Sequence, residues 1–174
     1  MTAKLQPASP FHLRQVSAGE GELFDVAGVK FLWKAKGEDT QFAFTIVEQT
    51  LRTGEGVPPH SHPYTEFFYV LEGVVVFQRI GATGAAARTD QTELRCAAGD
   101  AVVVPAGVIH TFSNAEAADA RILGVSNYKH QQFFDGVQAA DAAAPFGPMP
   151  PGEAMAKIAE IGLMHSMIFA PSED

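Results

Sequence analysis

Short runs of β-branched and aromatic residues, each fenced by Gly, Pro, Asp or Asn, recur along most of the chain and predict strands. Residues 29–33 form one brief apolar run. Between 41 and 51, Phe42, Phe44 and Ile46 alternate with Ala43, Thr45 and Val47, the period of two expected of a central strand. Residues 66–71 and 74–80 flank Glu72-Gly73, which reads as a tight turn. Residues 101–104 and 108–113 are parted by Pro105-Ala106-Gly107, and 120–125 follow Asn114 and a loop rich in Ala, Glu and Asp. The total is roughly seven or eight strands, the number of a jelly roll, so the pattern predicts an all-β sandwich or barrel.

The pattern changes after Tyr128. Residues 131–134 predict a short helical turn, and 139–152, with four prolines, an extended connector. Residues 153–161 place Ala154, Ile158 and Ile161 on one helical stripe, a short amphipathic helix suited to lidding the barrel. Residues 81–90, with three consecutive alanines, have little to pack and read as a surface loop. The resulting division is an N-terminal arm over 1–28, a barrel over 29–128, and a C-terminal extension over 129–174 that packs on the barrel. A length of 174 residues, 47% of them hydrophobic, suits one core.

A formal net charge of −8 and a pI near 5.1 give a field that repels polyanions, which argues against nucleic acid or an anionic membrane as partner. No apolar run approaches the ~18 residues of a membrane span. Residues 1–16 break every apolar stretch with polar residues and prolines, so no signal peptide is indicated and a cytoplasmic location is expected. No helix-turn-helix segment precedes the barrel. Cys96, the single cysteine, has no intramolecular disulfide partner and is expected to act as a small buried hydrophobe.

Two blocks carry chemistry: Gly54-Glu55-Gly56-Val57-Pro58-Pro59-His60-Ser61-His62-Pro63-Tyr64-Thr65-Glu66, closing at Gly73, and Gly99-Asp100-Ala101-Val102-Val103-Val104-Pro105-Ala106-Gly107-Val108-Ile109-His110, closing at Asn114. Residues two apart in a strand share a side, so His60 and His62 project together. Glu66 opens the next strand, and a hairpin would return its carboxylate beside them. His110 stands in an otherwise apolar strand and points inward only if something compensates its nitrogens. A divalent transition metal held by His60, His62, Glu66 and His110 would do so. Imidazole suits Fe, Ni, Co, Cu and Zn, and the carboxylate extends the tolerance to Mn.

These blocks resemble the two signature motifs of the cupin superfamily, and the resemblance spans about residues 40–126. It implies a double-stranded β-helix, the jelly-roll cupin barrel, with a metal near one mouth, assembled as a homodimer. Phe31-Leu32, Gly37-Glu38-Asp39-Thr40, Val57-Pro58-Pro59-His60, the run Phe67-Phe68-Tyr69-Val70-Leu71-Glu72-Gly73, and Phe133-Phe134 ahead of a Pro-rich stretch are similar to single-domain quercetin 2,3-dioxygenase-like cupins. That likeness implies a metal-dependent dioxygenase acting with dioxygen on an enolic or phenolic, flavonol-like small molecule, with Glu66 as ligand and catalytic base. The same ligand set also serves an oxygen-independent isomerase or polyketide cyclase, and a small-molecule-binding cupin without turnover. Phe68, Val70 and Phe112 share the side of Glu66 and His110, as a pocket wall or as ordinary core. Tyr64 is expected to cap a loop rather than gate the mouth. His12, His130 and His165 lie outside the motifs and are expected to be exposed.

Overall fold

A computed structural model describes residues 12–26, 29–81 and 93–170. The strands are β1 (Glu22–Val26), β2 (Val29–Ala35), β3 (Thr45–Leu51), β4 (Gly56–Ser61), β5 (Glu66–Glu72), β6 (Val74–Arg79), β7 (Glu93–Ala97), β8 (Ala101–Val104), β9 (His110–Ser113), β10 (Ala120–Ser126) and β11 (Ile168–Phe169). Helix α1 (Tyr128–Ala143) and helix α2 (Pro151–Met164) separate β10 from β11. The strands form two antiparallel sheets, ordered β1-β2-β3-β10-β5-β8 and β11-β4-β9-β6-β7. The all-β jelly-roll expectation therefore holds. The loop expected over 81–90 falls almost wholly on residues outside those described.

Alternation sets which side chains enter the barrel. On β3 the buried positions are Thr45, Val47, Gln49 and Leu51. The strand was expected from residue 41, but Gly37–Thr40 is a 3-10 turn, and Gln41 and Phe42 take the left-handed conformation at φ of 57° and 61°. Phe42 and Phe44 consequently lie at the surface. The turn at Gly73 is legible in its backbone: φ is +73°, and a Cβ there would meet the Asp119 carbonyl oxygen at 2.7 Å.

Among the described residues, two apolar clusters form the core. One lies between the sheets, where Phe68 and Val70 meet Val75, Phe77, Phe112 and Ile122, with Cys96 buried at its edge. The other joins Phe24, Phe31, Trp33 and Val47 of the first three strands to Phe133, Phe134, Val137, Ala154, Ile158 and Ile161 of the helices. Part of the arm thus joins the sheet: β1 pairs with β2, Phe24 opposite Phe31. The C-terminal segment is also more helical than expected. α1 runs sixteen residues in place of a single turn and takes in the start of the expected connector. Its N-cap, Asn127, accepts a hydrogen bond from the Lys129 amide at 2.9 Å.

Candidate metal centre

The four expected ligands come together. A Cβ on Gly56 would lie 2.5 Å from the Phe112 carbonyl oxygen, so only glycine lets β4 close on β9 there. That pairing sets His60 directly opposite His110. His62 follows the end of β4, and Glu66 opens β5 on its buried face. One ligand atom from each of His60, His62, Glu66 and His110 lies within 4.8 Å of the other three, and all four residues are buried.

The donor set fits a metal ion. Each of the three histidines places Nδ1 on a backbone carbonyl: His60 on Pro58 at 2.9 Å, His62 on Tyr64 at 2.8 Å, His110 on Val108 at 3.0 Å. A carbonyl only accepts, so Nδ1 carries the hydrogen and Nε2 turns a lone pair inward in the neutral ring. His110 Nε2 is buried without a hydrogen bond, an arrangement that is unfavourable in a core unless a cation takes the lone pair. Glu66 Oε2 completes the set, 2.9 Å from His62 Nε2 and 3.4 Å from His110 Nε2.

His130 was expected at the surface and is instead buried, with Nδ1 3.3 Å from Glu66 Oε1. The reason is its place on α1: His130, Phe133, Phe134 and Val137 share one buried stripe that faces the barrel. The ring packs on Phe134 at 4.7 Å between centroids. His12 is exposed and His165 half-buried. Tyr64 is also drawn inward, stacking on His62 at 4.1 Å with planes 6° apart, so it braces one of the four candidate donors. Burial would raise the Glu66 pKa, but His130, His110 and His62 around it hold it well below the usual carboxylate range.

The site opens onto a cavity of about 200 Å³ between the two clusters. His60, Glu66, His130 and Gln49 are the polar side chains of its wall; the remainder is apolar and largely aromatic. Phe68 and Phe112 border it. Val70 does not, lying one pleat deeper at 0% exposure in the inter-sheet cluster. Gln49 escaped the sequence reading. It points inward from β3 between Val47 and Leu51, and its amide nitrogen is buried without a partner.

Charge in this cluster makes the metal-free protein sensitive to acid. Burial, then the neighbouring His110, lowers the His60 pKa from 6.5 to about 3. Between those values the unfolded chain binds a proton that the folded chain refuses. The His60 contribution is therefore complete above pH 6.5 and declines by about 1.4 kcal/mol per pH unit as pH falls toward 3. His62 acts oppositely: burial would lower its pKa, but the hydrogen bond and charge of Glu66 raise it, so that contribution is lost as pH rises through the folded value. Urea unfolding between about pH 8 and pH 4 should show His60→Phe losing less stability in acid than the parent. Equal slopes would contradict this assignment.

The model for the family described as Cupin domain matches residues 47–126. A solved polyketide cyclase from Streptomyces resistomycificus superposes with a TM-score of 0.55 at 19% identity, over 67% of this chain and 80% of its own. A sugar phosphate isomerase of the cupin superfamily from Silicibacter pomeroyi gives 0.51 at 23% identity, over 66% and 75%. A cupin-like protein from Thermotoga maritima gives 0.50 at 20%, over 63% and 79%. Identities this low speak for the fold alone. No curated protein matches the sequence. The two-sheet fold and the four buried donors inside the matched segment accord with that match, and residues 47–126 are similar to a cupin domain.

Proposed function

We propose that the protein is a metal-dependent enzyme acting on a small, largely apolar molecule that carries an enol or phenol oxygen, and that its reaction is dioxygenation of the flavonol type. The observation that carries this reading is the cavity, in which the metal-ligating carboxylate and an imidazole form one polar corner of an aromatic wall. Phe31, Phe68, Phe112, Phe133 and Phe134 suit the faces of a flat ring system. A substrate oxygen at the corner would face Glu66, and a second acceptor would satisfy the free amide nitrogen of Gln49. At about 200 Å³ the space is smaller than the ~300–1,000 Å³ of drug-sized pockets, so it suits one or two rings. A three-ring flavonol requires Met155 and Met167 to shift, which flexible thioether chains do at small cost.

When bound, a divalent ion supplies Lewis acidity and lowers the pKa of a hydroxyl that it touches. Glu66 is the carboxylate placed to receive that proton. Its depressed pKa keeps it ionised but makes it a weak base, so it is matched to an acidified enol or phenol rather than to an ordinary alcohol. The aromatic wall excludes water and orients the ring.

Oxygen uptake matched to quercetin loss by the metal-loaded protein is the expected result. Glu66→Gln at equal metal content should lower turnover roughly a hundredfold or more. Unchanged turnover at full occupancy would remove the base role. Conversion that persists under argon would assign an isomerase or cyclase instead, and binding without conversion a non-catalytic cupin.

A further inference from the structure

We propose that His130 is a positioning residue that sorts the two oxygens of Glu66, holding Oε1 away from the metal so that Oε2 alone is presented to it. The inference rests on the four-donor site and is independent of which reaction the site performs.

The two oxygens lie in different surroundings. Oε2 faces His62 Nε2 at 2.9 Å and His110 Nε2 at 3.4 Å, inside the ligand cluster. Oε1 faces His130 Nδ1 at 3.3 Å. Nδ1 of His130 is buried and its 3.3 Å approach to Oε1 is short of hydrogen-bond geometry; a carboxylate oxygen can only accept, so the proposed tether puts the ring hydrogen on this nitrogen. With the hydrogen there, the proposed tether requires the ring to turn slightly so that the N–H meets Oε1. A carboxylate free to offer both oxygens can occupy two coordination positions, whereas one tethered through Oε1 occupies one and leaves a position for substrate.

His130 is not an incidental neighbour of Glu66. It lies beyond the matched residues 47–126, on a helix that is fixed independently. The adjacent Gln131 is fully buried; its Oε1 accepts from the Gly37 amide at 2.7 Å, and its Nε2 donates to Glu38 at 3.2 Å. Phe134, one turn on, packs against the imidazole. The helix is thereby pinned on both sides of the histidine, and the C-terminal extension contributes to the centre rather than merely covering it.

Cobalt(II) is a suitable probe, since its absorption reports coordination number. His130→Phe retains an aromatic ring beside Phe134 and deletes the donor, while His130→Asn restores an N–H donor near the same place without the ring. Titrating chelator-stripped proteins with cobalt(II), His130→Phe is expected to bind about 10–100-fold more weakly and with an altered absorption band. Its metal-free melting temperature should be unchanged. His130→Asn is expected to recover the parent spectrum and most of the affinity. Parent-like binding and spectrum in His130→Phe would overturn the proposal, as would equal loss in both variants, which would indicate packing alone. Failure of the parent protein to bind cobalt(II) would instead overturn the four-donor site, and this inference with it.

Discussion

Adding a divalent transition ion to metal-free protein is expected to raise its unfolding free energy by about 4 kcal/mol once free ion reaches roughly a thousandfold excess over Kd. At ~2–4 °C per kcal/mol for a chain of this length, the melting temperature should rise by about 8–16 °C. The effect follows from how the folded chain prepays the geometry. Three Nδ1 atoms are committed to carbonyls, three Nε2 atoms and one carboxylate oxygen converge, and none of this survives unfolding. His62, whose protonated ring is stabilised by Glu66, must shed that proton to become a ligand, so binding should release acid and strengthen as pH rises. His110→Phe separates this account from simple surface binding. It removes one proposed ligand and a buried nitrogen that has no hydrogen bond, and with them the Nδ1 contact to the Val108 carbonyl, so the metal-free variant should melt within a few degrees of the parent while the metal-induced rise disappears. Scanning calorimetry of chelator-treated protein, with and without ion, measures both. A full rise in His110→Phe would show that the stabilising ion binds elsewhere.

The four donors were legible in the sequence because the rule that gathers them is local. His60 and His62 are two apart at a strand end, Glu66 opens the next strand, and His110 stands alone among apolar neighbours after a Pro-Gly turn. His130 was not legible in this way, since its partner lies 64 positions earlier and no turn or strand period links the two. A signal was nevertheless present: His130, Phe133, Phe134 and Val137 fall at helical spacing, which places a histidine on an apolar stripe. The prolines at 145, 148, 150 and 151 suggested an extended connector, yet they bound helices rather than dissolve them, and Pro151 is itself the first residue of α2.

Two of the strands that escaped notice share a cause. On β7 only Cys96 is buried, and on β1 only Phe24 is fully so, because each is the last strand of its sheet and has a neighbour on one side alone. A single inward residue leaves no alternation to read. β11 is two residues long and pairs with β4, Phe169 opposite His60. Its pairing depends on the return of α2, which no local pattern announces. Gln49 was passed over for a different reason: a polar residue at an inward position of a strand looks like an outward one until the register of β3 against β2 and β10 is known.

Phe134→Ala is expected to cost about 3–5 kcal/mol and to lower the melting temperature by roughly 6–20 °C. Phe134 is the hinge between sheet and helix, with ring centroids 5.1 Å from Phe24, 5.1 Å from Phe31, 5.8 Å from Trp33 and 5.2 Å from Phe133. Closing the resulting void would require β1, β2 and α1 to approach together, and Gln131 resists by tying α1 to Gly37. Because His130 packs on the same ring, the substitution should also loosen the tether on Glu66, so metal affinity falls together with stability. Leu51→Ala supplies the control. Leu51 is fully buried in the inter-sheet cluster and does not border the cavity, so truncation there should cost a similar ~2–5 kcal/mol and leave metal affinity at the parent value. Denaturant unfolding and cobalt(II) titration of both variants, under conditions where each remains folded, distinguish loss of fold from loss of the tether. Equal weakening of metal binding in the two would mean that affinity follows overall stability, and that the helix contributes nothing particular to the centre.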